Sequence, residues 1–302
     1  MSNPDFLHAR PEEFKAAVQY TTADTGFQPQ LIEKDYFCSL VLRALAARKA
    51  LPLVFKGGTL LNKAYSGFYR LSEDLDFTVS TGPDVKRSER SQLATVLAKK
   101  LEEICAEIPG LEISEPLKGF NNSTQHRAKF IYPSVNGGNG AIQLEVGQRE
   151  QVMLRVDDVE VRTLLVDAIS TEPAVPPFRV RALQREEAYA EKIRAALTRR
   201  DAAIRDLFDL DHAVRNKDID VDSPDFWRLA AAKIALPGNE IQPLGDGGRL
   251  ESFKIQVQTD LRPVLRPVDF EKFDFDAAIE TLAKIERKVR EAMARGVSTP
   301  IS

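Results

Sequence analysis

The sequence predicts an α+β fold, with a mixed β-sheet flanked by helices and a mostly helical C-terminal domain. Three observations predict it. Apolar or alternating segments of strand length recur between residues 51 and 165. Amphipathic helical segments precede and interrupt them. Beyond Pro173, Pro176 and Pro177 the strand pattern gives way to helical periodicity.

Two helices open the chain. Pro11-Glu12-Glu13 sets a proline and acids in a first turn, and Tyr36, Phe37, Leu40, Val41 and Ala44 give the segment from Pro29 to Arg48 a broad apolar face. Leu51 to Phe55 is a short apolar run, flanked by Pro52 and Gly57-Gly58, which suits a buried strand ending in a glycine turn. Thr59 to Tyr69 reads as a helix. From Asp74 the residues alternate, with Asp74, Asp76 and Thr78 on one face and Leu75, Phe77 and Val79 on the other. That is a half-buried strand with its acids on the accessible side.

Glu89 to Ile108 is a further amphipathic helix. Strand patterns follow at Ala128 to Tyr132, Ala141 to Val146, Gln151 to Val156 and Val159 to Leu165, and Asn136-Gly137-Gly138-Asn139-Gly140 supplies a hairpin loop. The expectation is a sheet of about five or six strands. Residues 1–175 are expected to form the core with its N-terminal helices, and residues 176–302 the helical domain. In the latter, RALQREEAYAEKIRAALTRR and DAAIRDLFDLDHAV read as two helices with Asp201 as N-cap of the second. Further helices cover Asp225 to Ala232 and Phe270 to Ala294, with a polar segment at Gly245 to Gly248.

At 302 residues, 43% hydrophobic and 29% charged, the chain can bury a real core. Its 42 Lys and Arg nearly balance 45 Asp and Glu, for a net charge of -3, so nucleic-acid binding requires a local patch rather than a global charge. Cys38 and Cys105 match neither a disulfide framework nor a zinc spacing and read as small buried hydrophobes in a reducing compartment. His8, His126 and His212 show no metal-ligand spacing, which disfavours a zinc hydrolase, and His212 reads as helix packing. No apolar run reaches membrane-spanning length and MSNPDFLHARPEEFK lacks the plan of a signal peptide, so a cytoplasmic protein without membrane association is expected.

The chemistry-bearing residues lie in LVFKGGTLLNKAYSGFYRLSEDLDF and in IQLEV. Carboxylates at i and i+2 of a strand point the same way with Cα atoms about 6.5 to 7 Å apart, close enough to share a divalent cation. Asp74 and Asp76 meet that condition, although a solvated strand face has the same pattern. Glu145 also faces away from the apolar side of its strand. A third carboxylate on a neighbouring strand would complete a two-metal phosphoryl-transfer site. Gly57 and Gly58 remove Cβ atoms where backbone could approach an anion, and Thr59 adds a hydroxyl at the head of a helix. The turn is not a Walker loop, which needs Gly-Lys-Ser/Thr at its end. Lys56 and Arg70 flank the turn and the acidic strand and could neutralise phosphate charge.

Strand, Gly-Gly-Thr, helix and then Asp74-Leu75-Asp76 resemble the nucleotidyltransferase superfamily that includes DNA polymerase beta. More narrowly, FKGGTLLNKAYSGFYRLSEDLDF with LIEKDYFCSLVLRAL before it and AEKIRAAL and IRDLFDLDHA after it resembles the AbiEii/AbiGii toxin family, to which the MenT toxins belong. The match runs from Leu31 to Ala213, about three-fifths of the chain. Two departures are Thr59, where the family often has serine, and a long separation between the turn and Asp74.

The resemblance implies a nucleotidyltransferase fold and an Mg²⁺- or Mn²⁺-dependent transfer of a nucleotide from a nucleoside triphosphate to an acceptor hydroxyl, in a type IV-like toxin–antitoxin or phage-defence pair. It implies that Asp74 and Asp76 hold metal with Glu145 as the third acid, that Gly58 and Thr59 contact phosphates, and that Lys192 binds triphosphate. Asp209 matches the acid of the following helix, with Arg205 one turn before it and Asp206 as the nearest competitor. The implied partners are a transfer RNA 3′ end, a cognate antitoxin protein and the nucleotide. Arg181, Arg185, Arg194, Arg199 and Arg200 are candidates for an RNA-facing patch. The alternatives are a non-catalytic nucleotide- or antitoxin-binding module of the same fold, and a transferase acting on a small molecule or a protein.

Overall fold

A computed structural model describes residues 6–79, 87–121, 124–148, 151–201, 203–245 and 247–296. The chain divides into two compact units. The first comprises residues 1–152 and 156–182, and the second residues 153–155 and 183–302.

In the first unit α1 (Pro11–Thr25) and α2 (Pro29–Ala47) precede β1 (Leu53–Lys56). A single α-helical turn, α3 (Gly57–Leu60), runs into a π-helical turn at Leu61–Tyr65, then come β2 (Asp74–Val79) and α4 (Arg87–Glu107). The rest is β3 (Glu112–Phe120), β4 (Gln125–Pro133), β5 (Asn139–Gly147), β6 (Asp157–Val161) and β7 (Phe178–Ala182). These strands make one seven-stranded sheet in the order β3-β4-β5-β2-β1-β7-β6. It is mixed: β2 runs parallel to β5 and β1 to β7, and the other neighbours are antiparallel.

Alternation decides which face is covered. Leu75 and Phe77 of β2, Ile142, Leu144 and Val146 of β5, and Ala128, Phe130 and Tyr132 of β4 are all buried. α2 packs on this face, with Phe37 stacked on Tyr132 at a centroid distance of 4.1 Å. The opposite face carries the Asp74, Asp76 and Glu145 positions. It lies in register, because Asp74 stands opposite Gln143 and Asp76 opposite Glu145.

α2 is buried along much of its length, and that includes polar residues. Asp35 and Lys63 form an interior ion pair at 2.5 Å, and Lys63 Nζ also donates to Ser39 Oγ at 2.7 Å. The second Asp35 oxygen accepts from Leu164 N at 2.8 Å and Thr163 Oγ1 at 3.1 Å. A buried pair survives only when its remaining hydrogen-bonding capacity is satisfied, and here the same bonds tie α2, the π-helical turn and the chain after β6 together.

The sheet has seven strands rather than five or six. β3 escapes the sequence pattern because it is an edge strand exposed on both sides, with no alternation to detect. β7 carries the sheet past residue 175, since five residues beyond the prolines pair with β6. Gln151 to Val156 forms no strand, and Val159 to Leu165 is strand only to Val161. The helix expected from Thr59 to Tyr69 begins at Gly57 and ends in the π-helical turn at Tyr65. Cys38 is buried, but Cys105 is only half-buried.

The second unit is helical: α5 (Arg185–Thr198), α6 (Ile204–Arg215), α7 (Pro224–Ala235), α8 (Gly247–Gln256), α9 (Pro267–Glu271) and α10 (Phe275–Ala294). The N-cap of α6 is Ala203, without a side-chain cap, rather than Asp201. In the expected polar segment at Gly245 to Gly248, α8 begins at Gly247, and residue 246 lies outside the described residues. Residues 153–155 join this unit because Glu187 accepts Met153 N at 2.7 Å and Leu154 N at 2.8 Å, with Lys233 paired to the same carboxylate at 2.5 Å. Among the described residues no helix is long and apolar enough to cross a membrane.

Candidate functional site

The glycine turn is folded directly onto the acidic strand. β1 and β2 pair antiparallel with Lys56 opposite Asp76, so the chain leaving β1 turns beside the aspartates. Gly57 has φ of +80°, a region that side chains other than glycine's adopt only with strain, and an ideal Cβ there would lie 2.9 Å from Asp76 Cβ. Gly58 is crowded from the other side, where a Cβ would lie 2.6 Å from Arg70 Nη2 and 3.0 Å from Ser72 Oγ. The two glycines therefore admit the Asp76 carboxylate and the Arg70 guanidinium against the backbone.

Thr59 does not present its hydroxyl outward. Its side chain is buried and Oγ1 donates to the Asp74 carbonyl at 2.5 Å. The hydroxyl pins α3 to the first aspartate, so the backbone of the turn, rather than this side chain, is the part left to meet an anion. Lys56 Nζ lies over the polar face, within 3.8 Å of the position a Cβ would take on Gly147. Arg70 is buried and donates to the Leu71 carbonyl at 3.1 Å.

One cross-strand row organises the polar face: Lys56 of β1, Asp76 of β2, Glu145 of β5, Arg127 of β4 and Lys118 of β3 are successive partners. Directly opposed residues share a face and interact. Glu145 thus stands beside Asp76 as the sequence suggests, but its Oε2 accepts from Arg127 Nη2 at 2.9 Å and Nε at 3.3 Å. Among the described residues no group of three or more His, Cys, Asp or Glu side chains is arranged to hold a metal ion. The half-buried Asp74 and Asp76 still fit Mg²⁺ or Mn²⁺, since such ions take one or two carboxylates and complete their shell with water and substrate phosphates.

Lys192, Asp209 and Arg205 belong to the helical unit. Lys192, 10% exposed, reaches from α5 to α6 and binds Asp206 Oδ1 at 2.8 Å and Asp209 Oδ2 at 2.9 Å. Arg199 adds a bond to Asp206 Oδ2 at 3.0 Å. Burial alone would raise the Asp206 carboxyl, but Lys192 and Arg199 together hold it below its ordinary value. Asp209 is fully buried, and Lys192 is one of its partners. Of the candidate arginines, Arg194 is drawn to Glu191 and Arg199 to Asp206.

Sequence reasoning missed three participants. Lys63 and Asp35 belong to no motif, and only the packing of α2 against the π-helical turn brings them together, with Asp35 flanked in α2 by the buried Leu31, Ile32, Tyr36 and Phe37. Arg127 lay outside the strand pattern expected from Ala128. Register, which sequence alone does not give, is what brings it to Glu145.

The model of the AbiEii nucleotidyl transferase toxin family, a type IV toxin–antitoxin system, matches residues 40–294. A crystal structure of a protein from H. pylori that is assigned as a nucleotidyltransferase shares 16% identity and covers 89% of this chain and 99% of its own, with a TM-score of 0.51. At that identity it shows the fold, and the fold agrees with the α+β expectation. A STING-associated CdnE c-di-GMP synthase from Capnocytophaga granulosa shares 12% identity over 93% of this chain and 85% of its own, but its TM-score of 0.26 carries no weight. No curated protein matches the chain. The chain belongs to the AbiEii toxin family and is a nucleotidyltransferase.

Proposed function

We propose that this AbiEii-family nucleotidyltransferase transfers a nucleotide from a nucleoside triphosphate to the hydroxyl of an RNA 3′ end, with a transfer RNA as the first candidate. The observation that carries the reading is the packing of Gly57 against Asp76 together with the bond from Thr59 to the Asp74 carbonyl. These contacts make the turn and the acidic strand one structure, so a triphosphate lying on the turn has its phosphates beside two carboxylates.

Asp74 and Asp76 would hold Mg²⁺ or Mn²⁺, which when bound neutralises the phosphate charge and aligns the displaced pyrophosphate. Backbone amides of the Gly57–Gly58 turn meet the triphosphate oxygens, and Lys56 and Arg70 add positive charge on either side. An acceptor hydroxyl attacks the α-phosphate, its oxygen forms the new P–O bond, pyrophosphate leaves, and the hydroxyl proton passes to a base. Glu145, opposite Asp76 in the row, would orient the acceptor or receive that proton. Alignment and charge neutralisation supply most of the acceleration.

By the family resemblance Lys192 and Arg205 would bind the nucleotide, and Asp209 would be a catalytic acid. The family is one of type IV toxin–antitoxin systems, so a cognate antitoxin is the expected protein partner, with a part in phage defence in the cytoplasm. Transfer of label from an α-labelled nucleoside triphosphate to RNA, lost in Asp74→Ala, tests the reading.

A further inference from the structure

The outer strands carry groups that the nucleotide and metal roles leave unused. On the polar face, β4 and β3 extend the row beyond Glu145 with Arg127 and then Lys118. With strands about 4.8 Å apart, Arg127 lies about 10 Å from Asp76 and Lys118 about 15 Å, measured between backbones. Arg127 is held from two sides. Its Nε and Nη2 both donate to Glu145 Oε2, and its Cζ lies 5.5 Å from the centroid of the Phe120 ring. Yet both groups are open to solvent, with 49% of the Arg127 side chain and 47% of Phe120 exposed.

A half-exposed phenylalanine on an edge strand adds little to a core, and a guanidinium pinned by a carboxylate has lost rotamer freedom without being buried. Together they offer a flat apolar ring and a fixed cation a few ångströms apart. Single-stranded nucleic acid is recognised by that combination, with a base on an aromatic face and a phosphate on a cation. The patch is local, since Lys129 is partly offset by Glu115 at 3.5 Å, so it suits one or two nucleotides and not a long duplex.

We infer that Phe120 and Arg127 form the subsite for the acceptor strand. Phe120 stacks on a base of single-stranded RNA near the reacting 3′ end, Arg127 pairs with the adjoining phosphate, and Glu145 positions Arg127 instead of serving as a third metal carboxylate. The inference rests on the reading of the chain as an RNA nucleotidyltransferase.

The test is fluorescence anisotropy of the full chain with a short fluorescein-labelled single-stranded RNA and no nucleotide, alongside transfer kinetics. Phe120→Ala and Arg127→Ala each weaken RNA binding about tenfold, while KM for the nucleoside triphosphate stays within about twofold. Arg127→Ala also flattens the dependence of log affinity on log salt by about 0.7, and Arg127→Lys restores it. Glu145→Gln weakens RNA binding, leaves half-saturation by Mg²⁺ unchanged, and adds nothing to Arg127→Ala in the double variant. Phe120→Leu, which keeps the bulk and removes the ring, and an unchanged melting temperature separate these effects from misfolding. Wild-type RNA binding in Phe120→Ala and Arg127→Ala overturns the inference, as does a shift of Mg²⁺ half-saturation in Glu145→Gln at unchanged RNA affinity. Label entering a protein while RNA is ignored also overturns it. If the wild type transfers no label at all, the nucleotidyl-transfer reading falls. If it labels RNA and the variants bind RNA normally, the subsite alone falls.

Discussion

Gly57 lies against Asp76, with so little space between them that an ideal Cβ on Gly57 would stand 2.9 Å from the Asp76 Cβ and 3.0 Å from its Cγ. The φ of +80° at the same residue makes glycine doubly necessary. Gly57→Ala is expected to cost about 1–2 kcal/mol in backbone strain alone and to push Asp76 out of place, lowering the melting temperature and cutting transfer at least about tenfold. Gly67→Ala is the control, because its φ is +68° but nothing lies within 4 Å of the added methyl. It should show the strain cost with transfer retained. Equal losses of activity in the two variants would show that contact with Asp76 is not what selects glycine.

Thr59 holds the first aspartate through its hydroxyl. Thr59→Ser keeps the donor and should retain both stability and transfer. Thr59→Val keeps the shape and deletes the donor in a buried place, at an expected cost of about 1–3 kcal/mol in urea unfolding. If serine and valine behave alike, the hydrogen bond has no part in fixing the strand.

The interior pair of Lys63 and Asp35 predicts a large, purely structural penalty. Lys63→Met leaves the Asp35 charge buried without its cation and should destabilise the chain by about 3–5 kcal/mol. Asp35→Asn removes the charge as well and should restore part of that loss in the double variant. A Lys63→Met chain that unfolds at the wild-type urea concentration contradicts the assignment.

Burial holds the imidazoles of His8 and His126 below their ordinary value of 6.5. As pH falls through that value the unfolded chain takes up protons that the folded chain refuses, so the stability present above it is lost progressively on acidification. The urea midpoint should be lower at about pH 5.5 than at about pH 7.5, and the difference should shrink in His126→Gln. A difference of the same size in His126→Gln would remove that residue from the explanation.

Local chemistry makes part of this fold legible in the sequence alone. Asp74 and Asp76 announce their shared face through strict alternation, and Gly57-Gly58 announces a turn, because both signals depend only on neighbouring residues. What stayed hidden depends on pairing. β3 shows no alternation because neither of its faces is buried. The place of Glu145 beside Asp76 and Arg127 follows from register. The outward role expected of the Thr59 hydroxyl gave way to a bond with Asp74 that no spacing rule reports. Lys192 was singled out only by resemblance, and its two carboxylate partners emerge from the packing of α5 on α6.

The glycine turn and the Asp74–Asp76 strand are proposed as one nucleotidyl-transfer site. That assignment is tested most directly by incubating the purified chain with each α-labelled nucleoside triphosphate, Mg²⁺ and total RNA, beside Asp74→Ala. The wild type is expected to put label into RNA and the variant none, with the fold of the variant checked by its melting temperature. Equal labelling by wild type and Asp74→Ala, or no label from the wild type into any acceptor, would contradict it.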